Sequence, residues 1–323
     1  MNTPATVFRS PLAEAMDRFV AFKRMQGYDY TDQARTLGYF DRFLAADADC
    51  GQAGLLALDC LERYVASTTH LAPFTRQTRM ASPREFSRWL QARHPASADL
   101  PRDILPRHPR PIRFFPLAPA QVAALKDAAP ALLAADPMRA RSAAMFVGLL
   151  YATGLRCREA LALTPQDIAA DGSYLHVARG KLGKQRLVPL SPSAYAALAA
   201  YLAARQTYAS GSRTSPLFID AQGAPLNRAR LYGDFRRLCR HCGIWGQPPP
   251  RLHDLRHNYA SACLAQWREA GKDVNALLPV LATAMGHSNL FATQRYLHHD
   301  AAALRAAAER FRNHVVRNQD PQP

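Results

Sequence analysis

Residues 94–119, HPASADLPRDILPRHPRPIRFFPLAP, hold seven prolines and four arginines with no helical period. Proline fixes its own φ, lacks the N–H that a helix or central strand needs, and pushes the residue before it toward extended backbone. An ordinary helix cannot run through such a stretch. It predicts a stiff, basic break between two separately cored parts. We expect a helical first domain over 1–95, a linker over 96–118 and a second domain over 119–323. The length of 323 residues suits two domains, and 48% hydrophobic residues can furnish both with cores.

The apolar spacing before the break is that of helices. Leu12, Met16, Phe19, Val20 and Phe22 share one stripe, and Leu37, Phe40 and Leu44 another. LDCLERYVAST predicts a third helix and FTRQTRMASPREFSRWLQAR a fourth, bent near Pro83. Beyond the break, PAQVAALKDAAPAL and MRARSAAMFVGLLYATG predict helices, the second closed by Gly154. SYLHVARGKLGKQRLVPL (173–190) alternates and turns at a Gly/Lys run, the pattern of a β-hairpin. Helices are expected again over about 193–207, 228–242, 253–268, 274–285, 289–297 and 301–317. The fold class is mainly α with a small β-sheet or hairpin.

The chain carries 41 Lys and Arg against 25 Asp and Glu, a formal charge of +16. Nearly all the cations are arginine; the lysines are Lys23, Lys126, Lys181, Lys184 and Lys272. Such an excess points to a polyanionic partner, most simply nucleic acid, and a planar guanidinium suits phosphate. On the fourth helix Arg76, Arg79, Arg84 and Arg88 are read as a DNA-facing row; a solvated face is the alternative. No apolar run reaches the ~20 residues that cross a bilayer, and the N-terminus has no secretory pattern. A cytoplasmic, nucleoid-associated protein is expected. The six cysteines have no framework spacing and read as reduced thiols. Cys239 and Cys242 lack two further ligands nearby, so no metal is expected there.

Four islands in the second domain concentrate polar chemistry. TGLRCREAL places Arg156 at the start of a helix with Glu159 one turn on; RGKLGKQR offers Lys181, Lys184 and Arg186; LHDLRHNYA sets His253 and Arg256 three apart, with His257 beside them; and AMGHSNLFATQRYLHHD holds His287 and Tyr296. Singly, each has an ordinary structural explanation: a capping arginine, a solubilising lysine, a backbone-bonded histidine, a half-buried tyrosine. Together they form one set. A tyrosine hydroxyl, of pKa about 10, attacks a phosphodiester only if its proton leaves and its charge is stabilised. Two arginines can clamp the non-bridging oxygens, a lysine can protonate the departing deoxyribose oxygen, and histidines can move a proton near neutral pH. Such a set calls for no cofactor. RGKLGK is not a phosphate loop, because Leu182 stands where Ser or Thr is needed.

The four ordered islands resemble the boxes of the tyrosine recombinase family (phage integrase, Xer-like). The resemblance covers nearly the whole chain, with Leu182 in place of a common glycine and Met285 in place of a usual leucine. It implies that Tyr296 forms a 3′-phosphotyrosyl link, Arg156 and Arg256 clamp the phosphate, Lys181 is the general acid, and His253 and His287 assist. Glu159 and His257 would support them from behind, while Lys184 and Arg186 would touch DNA. It also implies a clamp on duplex DNA, a homotetramer on two synapsed sites, a Holliday junction, and a final helix (301–317) docking on a neighbouring protomer. A helper DNA-binding protein is left open. A mobile-element role is preferred over chromosome-dimer resolution. The alternatives are a topoisomerase-like or telomere-resolving strand transferase and a DNA-binding accessory protein; the full set of six residues argues against the last.

Overall fold

The computed structural model describes residues 6–47, 49–106, 114–178, 185–208, 216–287 and 291–294. The chain divides into two compact units, Met1–Pro111 and Ile112–Pro323.

Among its described residues the first unit has four α-helices: α1 (Ala13–Met25), α2 (Thr31–Ala46), α3 (Leu58–Ser67) and α4 (Pro73–Gln91). Each gives one apolar face to a shared core. Met16, Phe19 and Val20 meet Leu37, Phe40 and Leu44, Leu61 and Tyr64, and Met80, Phe86 and Leu90. Phe19 sits at the centre, edge-on to Tyr30 at 5.5 Å and to Phe86 at 5.6 Å. The helix α4 continues through Pro83, which is buried.

Two expectations are corrected here. The stretch 96–118 is not one linker. Ala98 donates to the carbonyl of Leu56 at 2.7 Å, Leu100 donates to Ser87 Oγ, and Leu100 and Leu105 enter the first core. At the other end, Leu117 joins the core of the second unit. Proline stops a helix, but it does not stop extended backbone from being tied down by hydrogen bonds and buried leucines. Nor are all six cysteines reduced. Cys50 and Cys60, both buried with Cα atoms 5.7 Å apart, form a disulfide. The α2–α3 connection folds back onto the first turn of α3, a proximity that sequence spacing does not reveal. Cys157, Cys239, Cys242 and Cys263 carry free thiols.

The second unit comprises α5 (Pro119–Leu132), α6 (Pro137–Thr153), α7 (Cys157–Ala162), β1 (Tyr174–Val177), β2 (Arg186–Pro189), α8 (Pro192–Gln206), α9 (Arg228–His241), α10 (Leu252–Glu269), α11 (Val274–Met285) and α12 (Phe291–Gln294). The central helix α6 buries residues all round, among them Met138, Phe146, Val147, Leu149 and Leu150. It packs against α5, α8 and α10. The strands β1 and β2 pair antiparallel, Tyr174 opposite Pro189 and Val177 opposite Arg186, with Leu175 and Val188 facing the core. Asn258 on α10 accepts from the Leu117 N–H at 2.9 Å and donates to the Phe115 carbonyl at 3.0 Å. That pair fastens the chain entering this unit to the helix that carries part of the site. Among the described residues, no helix is long and apolar enough to cross a membrane, and no group of three or more His, Cys, Asp or Glu could hold a metal ion.

Candidate active site

Gly154 closes α6 in the left-handed region, at φ +62°, and turns the chain so that Arg156 becomes the residue before α7. The Arg156 backbone N–H donates to Glu159 Oε2 at 2.9 Å, and its Nη1 donates to Glu159 Oε1 at 2.7 Å. On α10, Arg256 is almost completely buried at 2% exposure. Burying a guanidinium is costly unless its donors are satisfied. Here Nη1 donates to the carbonyl of Gly154 at 2.5 Å and Nη2 to that of Met285 at 2.7 Å. Both acceptors lie at helix C-termini, where carbonyls have no intrahelical partner and the helix dipole is negative.

The end of α11 is the meeting point. Three consecutive carbonyls there each accept from a different arginine: Ala284 from Arg186 Nε at 2.8 Å, Met285 from Arg256, and Gly286 from Arg156 Nη2 at 2.5 Å. Gly286 caps α11 at φ +66°, and a Cβ there would lie 2.7 Å from Arg186 Nη1 and 3.1 Å from Arg156 Nη1. Only glycine permits both the turn and the close approach of two guanidinium groups.

His287 follows directly. Its N–H donates to the Ala282 carbonyl, and its Nδ1 lies 2.7 Å from the hydroxyl of buried Thr293 on α12. Burial, then the charges of Arg256, Arg156 and Arg186, push the His287 imidazole down to about 4. His253, one turn before Arg256, is exposed on the surface of α10. Desolvation, joined by the charge of Arg256, pushes its imidazole down to about 4 as well. His257 packs edge-on against His253, with ring centroids 4.7 Å apart, and close to Phe114. Burial and the neighbouring His253 hold it near 3. Glu159, the carboxylate held by Arg156 and Arg186, is 3% exposed. Burial alone would raise its pKa, but hydrogen bonds from Arg186 and Arg156 outweigh that and bring it to about 2. Among the described residues at the end of α11, three guanidinium groups converge, two of them on Glu159, beside histidines held neutral: a receptor for an anion with proton acceptors beside it.

Arg156, Arg256, His253, His287, Glu159 and His257 are therefore brought together. Lys181, Lys184 and Tyr296, and the helix expected over 301–317, lie outside the described residues. Arg186 turns inward: it opens β2 with its side chain only 8% exposed, in a bidentate pair with Glu159. The α4 arginines belong to the other unit, each with its own partner. Arg76 donates to Thr68 Oγ1 and the Val65 carbonyl, Arg79 lies 3.8 Å over the Tyr39 ring, Arg84 donates to the Pro101 carbonyl, and Arg88 pairs with Asp99 at 3.3 Å. Sequence reasoning missed Thr293 and the role of Gly286. The signal for Gly286 was present in MGH, a glycine ending a helix just before a polar residue. Nothing in the pattern singled out Thr293.

The model of the Phage integrase family matches residues 116–303, a span containing the whole candidate site. The chain belongs to the phage integrase family of tyrosine recombinases. By family it is a tyrosine-type site-specific recombinase, an enzyme that acts on DNA. Among curated relatives, this recombinase is 30% identical over 310 residues to the integrase/recombinase y4rE of Sinorhizobium fredii, covering 94% of this chain and 97% of that one. It is 36% identical over 239 residues to the tyrosine recombinase XerC of Rhodospirillum centenum, covering 73% of this chain and 65% of the relative. Solved structures of similar fold include the Tn1549 transposon integrase in complex with transposon right end DNA, at TM-score 0.64, 18% identity, and 94% and 99% coverage. A lambda integrase dimer bound to a core site has TM-score 0.62, 15% identity, and 88% and 94% coverage.

Proposed function

We propose that this recombinase cuts and rejoins duplex DNA through a covalent 3′-phosphotyrosyl intermediate. The observation that carries this reading is the gathering of Arg156 and Arg256 on adjacent carbonyls, Gly286 and Met285, beside His287. Two fixed guanidinium groups beside neutral imidazoles suit a transition state whose charge grows on non-bridging phosphate oxygens. The Tyr296 hydroxyl passes its proton to a neutral histidine as its oxygen attacks phosphorus, the bond to the 5′ oxygen breaks, and Lys181 gives that oxygen its proton. His253 and His287 take part in proton transfer and hold the phosphate. Because the phosphotyrosyl bond keeps the energy of the phosphodiester, the incoming 5′-hydroxyl can reverse the step with no nucleotide cofactor.

On this reading four protomers synapse two sites and exchange strands through a Holliday junction, serving a mobile element by integration, excision or cointegrate resolution. The net charge of +16 supports a DNA partner. Arg76, Arg79, Arg84 and Arg88 on the first unit, with Lys184, would face its backbone, and the work would be done in the cytoplasm at the nucleoid. A helper DNA-binding protein would be decided by the target site.

The test uses fragments flanking the native gene, nicked near candidate inverted repeats so that a cleaved end cannot be religated, in a buffer containing EDTA. A protein–DNA adduct on a denaturing gel, mapped to Tyr296 by mass spectrometry, is the expected result. Tight binding to a verified site with no adduct would favour an accessory DNA-binding protein instead.

A further inference from the structure

We propose that Arg186 is a positioning residue that keeps Arg156 available to the phosphate by occupying Glu159, an inference that rests on Arg156 being a clamp. Glu159 is a buried carboxylate within reach of two guanidinium groups. Arg186 meets both of its oxygens, Nη1 to Oε1 at 3.1 Å and Nη2 to Oε2 at 2.8 Å. Arg156 reaches only Oε1 with its side chain, while its backbone N–H takes Oε2. The geometry is a division of labour. Glu159 fixes where the Arg156 backbone and one edge of its guanidinium lie, and Arg186 neutralises the carboxylate.

Without Arg186, a buried carboxylate would face Arg156 alone. The two would tend toward a closed, bidentate ion pair, drawing the Arg156 fork away from the Gly286 carbonyl and cancelling the charge meant for the phosphate. The third donor of Arg186, Nε on Ala284, adds a mechanical link. β2, α7 and the end of α11 are joined in one ring of contacts, Ala284–Arg186–Glu159–Arg156–Gly286. A lysine could supply the charge but not the fork and the third bond together. Because Arg186 is only 8% exposed, its influence on DNA passes through Glu159 and Arg156.

The experiment compares wild type, Arg186→Gln, Arg186→Lys and Arg156→Ala on the nicked substrate, and on the same substrate with a methylphosphonate at the scissile position. Methylphosphonate removes the negative charge that the clamp serves. On the phosphodiester, Arg186→Gln is expected to lower single-turnover cleavage about 10- to 100-fold with DNA affinity within about threefold of wild type, a smaller loss than direct removal of a clamp donor. On the methylphosphonate the gap to wild type is expected to shrink to within about threefold, for Arg156→Ala and Arg186→Gln alike. An equal loss on both substrates would show a merely structural role and overturn the proposal. Normal cleavage of the phosphodiester by Arg156→Ala would instead sink the clamp reading. Arg186→Lys, which keeps the charge, should fall between wild type and Arg186→Gln; full activity would remove the fork from the argument.

A second measurement needs no DNA. In free protein labelled at histidine, His287 should titrate at higher pH in Arg186→Gln than in wild type. An unchanged titration would show that Arg186 does not set the charge of the site, and would overturn the proposal even if cleavage were never observed.

Discussion

Arg256 Nη2 donates to the Met285 carbonyl at 2.7 Å, so a buried guanidinium on α10 is pinned to the last residue of α11. Its Nη1 holds Gly154, the residue that turns the chain toward Arg156. One side chain thus fixes two segments of the site, and its removal has two separable effects. Arg256→Ala should lower the rate of adduct formation by about 10²–10³ while DNA affinity changes within about threefold, because the clamp tightens in the transition state. It should also destabilise the fold, since two carbonyls lose their partner at about 1–3 kcal/mol each. Single-turnover cleavage, gel-shift titration and urea unfolding separate the two. A parallel fall in binding and cleavage would contradict the assignment.

Tyr296→Phe keeps the ring and removes only the oxygen. Adduct formation should vanish on the nicked substrate, with binding within about twofold of wild type. Residual adduct on another residue, found by peptide mapping, would show that the nucleophile lies elsewhere.

Gly286→Ala tests the crowded end of α11. At φ +66° an L side chain costs about 1–2 kcal/mol, before any contact with the arginines is counted. The added methyl must also push aside Arg186, and to a lesser degree Arg156. We expect a lower thermal midpoint together with slower cleavage at a temperature where the variant is still folded. Lower stability with wild-type cleavage would mean that the arginines tolerate the displacement.

Stability should fall as the solution is acidified from pH 7 toward 4. His253, His257 and His287 titrate at about 4, 3 and 4 in the folded protein, below the ordinary 6.5. In that window the unfolded chain binds protons that the folded chain refuses, so protonation favours unfolding. The histidine contribution is complete above about pH 6.5 and is lost as pH drops toward the folded values. Glu159, held near 2, extends the loss below its ordinary 4.5. Urea midpoints measured from pH 7 to 4 should decline, and His257→Asn should flatten the curve. A flat wild-type profile would show that the imidazoles are not held neutral.

The helices were legible because burial of one face writes a period into the chain. Met16, Phe19 and Val20, or Leu37, Phe40 and Leu44, announce their face without reference to any other segment. The hairpin was legible from alternation, the end of α6 from Gly154, and the four polar islands from spacing within a single turn.

What the sequence determined by itself, then, is which of the described segments form helices or paired strands and which short runs hold the candidate site residues. Only the tertiary structure decided the partners. Arg156 meets Gly286 130 residues away, Arg256 meets Gly154 102 away, and Arg186 meets Ala284 98 away. It also turned Arg186 from a hairpin tip into the site, split 96–118 between two units, and joined Cys50 to Cys60. The physical reason is that periodicity records only that a face is buried. The carbonyl that satisfies a buried guanidinium is fixed by where packing brings the helix ends, and no local pattern encodes that.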